Sequence, residues 1–182
     1  GMPLPLTSLQ ILWINLVTDG LPGLALAVEP AERNVMKRPP YSPKENIFGR
    51  GMARDILWIG LLMGLVSLGV GYLYYRMDPS ASPAIWQTVT FTTLTLAQMG
   101  NALATRSDRD TFWQVGLFSN KVMLGSVLLT FALQMAVIYV PFLNKAFSTT
   151  PLSLRDLLIS LAFSLVVFLA VEFFKWIRQR RA

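Results

Sequence analysis

Five long apolar segments constrain the fold of this chain more than any other feature of its sequence. They cover residues 6–28, 53–76, 84–104, 121–140 and 154–177. Each is 20 to 24 residues long, and about 20 residues of α-helix cross the hydrocarbon core of a bilayer. Inside lipid every backbone polar group needs an internal hydrogen bond, which a helix provides. We therefore predict an all-α integral membrane domain with five transmembrane helices, occupying residues 1–182.

The composition agrees with this prediction and narrows the possible chemistry. The chain is 53% hydrophobic and only 14% charged, as expected for a multi-pass membrane protein. It contains neither cysteine nor histidine. A disulfide framework and a thiolate metal site are therefore excluded, and the commonest transition-metal ligand is missing.

The distribution of basic residues predicts the orientation of the chain in the membrane. Of the 16 lysines and arginines, 13 lie on one side, in residues 29–54, 105–121 and 175–181. The other side has three, Arg76, Lys145 and Arg155. Because basic loops stay in the cytoplasm, the loops 29–52 and 105–120 and the C-terminus are predicted there, with the N-terminus outside. This rule and contact with the lipid bilayer explain the positive charge without nucleic acid. In a bacterium the membrane would be the plasma membrane.

The first apolar segment contains a cluster of polar residues. Asn15, Thr18 and Asp19 have the spacing i, i+3 and i+4, which predicts that their side chains share one face of a helix. A charged group at the centre of a membrane costs about 2.5–3.5 kcal/mol on insertion scales, so such groups usually face an interior site or a partner. By contrast, Glu172 lies near a helix end, three residues before Lys175, and can either pair with it or extend to the membrane surface.

Two residues next to this cluster predict a break in the helix. Pro22 lacks the N–H that would bond to the carbonyl of Thr18, and Gly20 weakens the helix directly after Asp19. The freed backbone oxygens, together with an amide, a hydroxyl and a carboxylate, would suit a hard cation such as Ca²⁺. The alternative is a tolerated kink at Pro22, with Asp19 paired to a basic residue of another helix. No lysine or arginine lies deep in the other four segments, so that partner would have to come from outside this chain.

Four sequence motifs resemble those of a known family. They are NLVTDGLP at residues 15–22, EP at 29–30, MKRPP at 36–40 and LAQMGNALATRS at 96–107. Together they resemble P-type cation ATPases, and most closely the calcium-pump branch of the sarco/endoplasmic reticulum type. The resemblance covers essentially the whole chain, as transmembrane helices six to ten of ten.

The resemblance implies which residues bind the transported cation. In the family the matching asparagine, threonine and aspartate are cation ligands, which assigns Asn15, Thr18 and Asp19 as metal ligands. Two-site calcium pumps have a glutamate at the position of Gln98. A neutral amide there is similar to pumps that carry one calcium per cycle, so a single retained site is expected. Gln98 could line its cavity, or could instead form a hydrogen bond between helices.

The resemblance also implies what the whole protein does. The parent would be a P-type ATPase that exports Ca²⁺ from the cytoplasm against protons, using ATP and Mg²⁺ through a phospho-aspartyl intermediate. This chain has no DKTG-type phosphorylation motif and no nucleotide domain, so we assign it no catalytic or cofactor-binding residue and expect it to be inactive alone. Its partners would be the missing helices one to five and the cytoplasmic domains. The alternatives are a pump for Mn²⁺ or Na⁺, and a free-standing membrane structural or binding module.

Overall fold

The computed structural model describes residues 3–31, 36, 51–77, 82–107 and 110–181, and this part of the chain is helical throughout, without a β-strand. The first apolar segment forms α1 (Ser8–Trp13), a π-helical segment (Ile14–Thr18) and α2 (Gly20–Leu26). The long helices that follow are α3 (Met52–Met77), α4 (Pro83–Ala104), α6 (Lys121–Tyr139) and α8 (Leu154–Arg181). Short helices in the connections are α5 (Phe112–Val115), a 3₁₀ turn (Leu117–Ser119) and α7 (Pro141–Phe147).

Four helical stretches among the described residues are long and apolar enough to cross a membrane. They are Ser8–Leu26, Met52–Met77, Lys121–Tyr139 and Leu154–Arg180. These correspond to the first, second, fourth and fifth predicted segments. Leucines such as Leu57, Leu128 and Leu169 are exposed on them, as expected of surfaces that face lipid. The chain is therefore a multi-pass membrane domain with at least four candidate spans in the part that the structure describes.

Helix α4, the third predicted span, differs from the others because it lies in the centre of the bundle. It packs against α3, α6, α8 and the first segment, and it buries five threonines. Those hydroxyls lower its hydropathy, so it is not among the four candidate spans. Its 22 residues would still extend about 33 Å, enough to cross the hydrocarbon core. A crossing by α4, and with it the count of five, stays a prediction.

The predicted connections contain more structure than the sequence indicated. Residues 105–120 were expected as a loop, but they include α5 and the 3₁₀ turn. The last helix continues to Arg181, beyond the predicted end at residue 177. Most of the loop 29–52, with its MKRPP motif, lies outside the described residues.

A buried ion pair at the end of α8 holds the connection 105–120. Lys175 Nζ lies 2.7 Å from Glu172 Oε1, which confirms the predicted pairing. The same ammonium group donates hydrogen bonds to the carbonyls of Ala104, at 2.6 Å, and Asp110, at 3.0 Å. The N–H of Phe112 donates to Glu172 Oε2 at 2.8 Å. The pair thereby caps α4 and α5 together.

Candidate cation site

The helix in the first segment is interrupted directly beside the predicted ligands. After Trp13 the backbone enters the π-helical segment, and the N–H of Asp19 donates to the carbonyl of Ile14, five residues back, at 3.0 Å. Segments of this kind insert one extra residue into a helix and occur often at functional sites. The predicted interruption is therefore present within an otherwise apolar span.

The interruption lies upstream of the position that Gly20 and Pro22 predicted. Gly20 begins α2, and Pro22 is the third residue of that helix. N–H groups in a first turn have no acceptor within the helix, so the N–H that proline lacks is not needed there. The hydrogen-bond ladder resumes with Gly23, whose N–H donates to the carbonyl of Asp19 at 2.9 Å. The backbone therefore adjusts before Gly20, and Pro22 is accommodated without a kink of its own.

The π-helical segment separates the three predicted ligand side chains. Asn15 and Asp19 are exposed, whereas Thr18 is only 1% exposed. The prediction that all three share one face is wrong for Thr18. A π-helix has more residues per turn than an α-helix, so residues four apart stay aligned while residues three apart diverge. Thr18 Oγ1 has no hydrogen-bond partner within the described residues.

Asp19 has no basic partner in the part of the chain that the structure describes. The salt bridges there join Asp55, Glu29 and Glu172 to arginine or lysine, and none involves Asp19. Pairing within these residues is therefore absent, and the alternative left open by the sequence, a basic partner on a helix outside this chain, stays a prediction. The carboxylate and the amide of Asn15 are exposed on the surface of the bundle.

Gln98 lies on the side of α4 that faces the first segment. Phe91 and Leu94 of α4 pack in one cluster with Ile14, and Gln98 follows Leu94 by one helical turn. Its side chain is half-buried. Its Oε1 atom is buried and accepts no hydrogen bond from the described residues. The alternative role for Gln98, an inter-helix hydrogen bond to this oxygen, is thus not made within that part.

The part of the chain that the structure describes brings too few ligands together for a complete calcium site. Within the described ranges no group of three or more acidic, histidine or cysteine residues is placed to hold a metal ion. Ca²⁺ takes six to eight oxygen ligands, and Asn15 and Asp19 supply one amide and one carboxylate. These two oxygen-bearing side chains alone therefore fall short of a full Ca²⁺ shell.

A buried ion pair that the sequence did not predict secures the end of the first segment. Arg106 Nη2 lies 2.6 Å from Glu29 Oε1, and the arginine side chain is 1% exposed. Arg106 also donates to the carbonyl of Gly116 at 2.9 Å and to Ser119 Oγ at 2.6 Å. The Nδ2 of Asn120 donates to Glu29 Oε2 at 2.7 Å. From the sequence, Arg106 was counted only as a topological charge, and the one available signal was that Glu29 and Arg106 begin connections predicted on the same side of the membrane.

Comparison with known proteins gives the family. A family described as "Cation transporting ATPase, C-terminus" matches residues 3–177. The "Calcium-transporting ATPase" of Bacillus subtilis is 37% identical over 166 residues, covering 91% of this chain and 18% of that protein. The rat "Calcium-transporting ATPase type 2C member 2" is 36% identical over 177 residues, covering 96% and 18%. The yeast "Calcium-transporting ATPase 1" is 34% identical over 182 residues, covering 98% and 19%.

These relatives support the family resemblance but not its finer branch. The chain spans about a fifth of the length of these relatives, so it corresponds to one part of a larger protein. The relatives include type 2C members, and the sarco/endoplasmic reticulum-like branch named from the motifs has no support among them. At the level of the family the match is unambiguous, and this chain belongs to the C-terminal domain family of cation-transporting ATPases.

Proposed function

We propose that this chain is the C-terminal ion-translocating part of an ATP-driven pump that exports Ca²⁺ from the cytoplasm. It supplies part of one cation site and does not hydrolyse ATP alone. The calcium transport named in the titles of its relatives supports the choice of ion. The phosphorylation and nucleotide domains, with ATP and Mg²⁺, belong to the remainder of the protein.

One observation carries this proposal, the exposure of Asn15 and Asp19 beside a π-helical segment. A lipid-facing carboxylate at this depth would cost about 2.5–3.5 kcal/mol. Transmembrane helices absent from this chain would cover the two side chains, exclude lipid and complete the oxygen shell. The interrupted helix supplies a rigid frame that aims both groups at the same partner.

The remaining predicted ligands have smaller roles in the proposal. Thr18 is buried, and it contributes through its backbone or by adjusting the segment. Gln98 lines the inner wall of the cavity from α4 and provides a neutral oxygen where a two-site pump has a carboxylate. A single calcium per cycle follows, because the second site lacks that charge.

The proposal includes a topology. The chain crosses the membrane five times, with α4 as the third crossing, the N-terminus outside, and the loops 29–52 and 105–120 and the C-terminus in the cytoplasm. The 13 basic residues on that side support this orientation. In a bacterium the pump resides in the plasma membrane.

The test is cation-stimulated ATP hydrolysis by the full-length protein carrying Asp19→Asn. This substitution removes the negative charge of the site while keeping the shape of the side chain. We therefore expect the apparent affinity for Ca²⁺ to fall at least a hundredfold, or the stimulation of ATP hydrolysis to disappear. Asp156→Asn is the matched control, since that carboxylate bonds to Tyr74 Oη and Ser153 Oγ, at 2.7 and 2.6 Å, rather than facing the site.

Two outcomes would contradict the proposal. Normal Ca²⁺ stimulation in a correctly folded Asp19→Asn protein would remove Asp19 from the site. Stimulation of the unaltered protein by Mn²⁺ or Na⁺ but not by Ca²⁺ would mean that the transported ion is not Ca²⁺. The reading frame upstream of Met2 tests the free-standing module, because a DKTG motif there is expected only for the pump.

A further inference from the structure

Two arginines from different helices stack on the same aromatic ring at one end of the bundle. Arg54 is in the first turn of α3, and Arg178 lies near the end of α8. Their guanidinium carbons lie 5.5 and 5.2 Å from the centre of the Phe174 ring. Stacking of this kind orients a guanidinium group while leaving its edge donors available.

The donor groups of the two arginines converge beside Gly51. A Cβ atom on Gly51 would lie 3.4 Å from Arg54 Nη2 and 3.8 Å from Arg178 Nη2. The two nitrogens are therefore no more than about 7 Å apart. Gly51 has φ of 86°, which a residue with a side chain rarely adopts. The glycine thus turns the chain tightly into α3, and its lack of a side chain lets both arginine groups lie close to the backbone there.

Positive charge exceeds negative charge in this corner. Among the described residues, Asp55 supplies the negative charge in this corner. Its Oδ2 lies 2.9 Å from Arg178 Nη2, and its Oδ1 lies 3.6 Å from Arg54 Nε. A third arginine, Arg180, stacks over Trp176 at 3.8 Å. Asp55 therefore faces the two guanidinium groups of Arg54 and Arg178, and Arg180 adds a further positive charge near the end of α8. The side chains of Arg54 and Arg178 are 63% and 37% exposed, so an anion can reach them.

Exposed apolar stripes lead along both helices to the same end. On α3, Leu57, Leu61 and Leu65 are 73%, 66% and 63% exposed, and they follow Arg54 at helical spacing. On α8, Leu169 and Phe173 lead to Trp176 in the same way, and all three are exposed. Guanidinium groups above apolar stripes match a molecule with an anionic head and hydrocarbon tails.

We propose that the end of α3 and α8 binds the headgroup of an anionic phospholipid. The phosphate accepts charge-assisted hydrogen bonds from Arg54 and Arg178, and the acyl chains lie along the leucines of α3. Basic pockets between transmembrane helices on the cytoplasmic side hold such headgroups. The inference relies on the proposed membrane topology, which places this end at the anionic leaflet.

The test is retention of lipid by the full-length protein. The protein is reconstituted in nanodiscs of phosphatidylcholine and phosphatidylserine at 4:1, released, and its bound lipids are counted by native mass spectrometry. We expect enrichment of phosphatidylserine, and a loss of affinity of roughly 25-fold in the Arg54→Gln/Arg178→Gln variant, because each of the two basic groups near the surface contributes about fivefold. Arg76→Gln/Arg155→Gln is the matched control. It removes one charge from the opposite end of each helix.

Each remaining outcome decides the question. Arg54→Gln alone removes only one ion pair of 3.6 Å. This variant is expected to fold normally and to lose about fivefold in affinity for phosphatidylserine. Unchanged retention of phosphatidylserine by both arginine variants would overturn the proposal, and so would an equal loss of it in the Arg76→Gln/Arg155→Gln control. So would displacement of the lipid by millimolar glycerol phosphate, which would make a soluble phosphate the ligand. Both leaflets carry the same lipids and no ATP is used, so errors in orientation or in pump function would not affect the result.

Discussion

At the scale of single residues, Gly71 marks a close contact between two helices of the bundle. A Cβ atom there would lie 1.9 Å from Thr90 Oγ1 and 3.6 Å from the carbonyl of Trp86. Small residues allow such approaches between membrane helices. Thr90 cannot move away easily, because it is 1% exposed and its hydroxyl donates to the Trp86 carbonyl at 2.8 Å. The contact of α3 with α4 therefore depends on the absence of a side chain at this position.

We predict that Gly71→Ala destabilises the protein by about 1–3 kcal/mol, the usual cost of overpacking a core. Thermal unfolding of the full-length protein in detergent measures the effect. Gly69→Ala, two residues away, is the control, since a Cβ there meets nothing within 4 Å in the described structure. Equal melting temperatures for the two variants would show that the helices can separate at little cost.

At the scale of structural elements, the pair of Arg106 and Glu29 joins three elements at one end of the bundle. Arg106 follows α4, Glu29 follows α2, and Asn120 precedes α6. Asn120 also donates from Nδ2 to the carbonyl of Ala25 at 3.1 Å. The end of the interrupted segment is thereby fixed ten residues after Asp19, and the π-helical segment has a firm support on that side.

We predict that Arg106→Gln and Glu29→Gln each destabilise the protein by about 3–5 kcal/mol, because each leaves a buried charge without its partner. The double variant should lose clearly less free energy of unfolding than the sum of the two single losses. A double-mutant cycle by chemical or thermal unfolding checks this. Arg178→Gln breaks a more exposed pair at the same end and should cost less than about 1 kcal/mol. Additive losses in the double variant would mean that the two groups do not interact.

At the scale of the whole molecule, the arrangement resembles a shell of apolar helices around α4. Val89, Phe91 and Ala97 of α4 are fully buried, as are Thr88, Thr92, Thr93 and Thr95. A helix surrounded by protein needs no lipid-facing surface, so it can carry hydroxyl groups that a peripheral span cannot. The polar stripe on α4 is consistent with a crossing in the middle of the bundle.

We predict that α4 crosses the membrane with its N-terminal end outside. The chain has no cysteine. Single cysteines can therefore be introduced into it and labelled in a full-length protein whose other cysteines have been replaced. Ser82→Cys should react with an impermeant maleimide in intact cells, and Trp113→Cys, which replaces an exposed side chain, only after permeabilisation. Labelling of both positions from the same side would contradict a crossing by α4.

Much of this domain could be predicted from the sequence because its signals are local. Apolar length placed every long helix to within a few residues, except at the end of α8. The family was evident from the run of residues 15–22 and from the motif around Gln98. An interruption of the first helix was also predicted from Gly20 and Pro22, although it lies before Gly20 rather than at those two residues.

The sequence by itself therefore determined the helices, the family and the presence of polar groups in a membrane span. Only the tertiary structure decided which way those groups point. Helical spacing placed Thr18 with Asp19, but the π-helical segment turned it inwards, and that choice depends on packing against α4 and α6. Arg106 likewise changed from a topological charge to a buried partner of Glu29. Such contacts join residues 77 positions apart, and no local pattern encodes a distance of that kind.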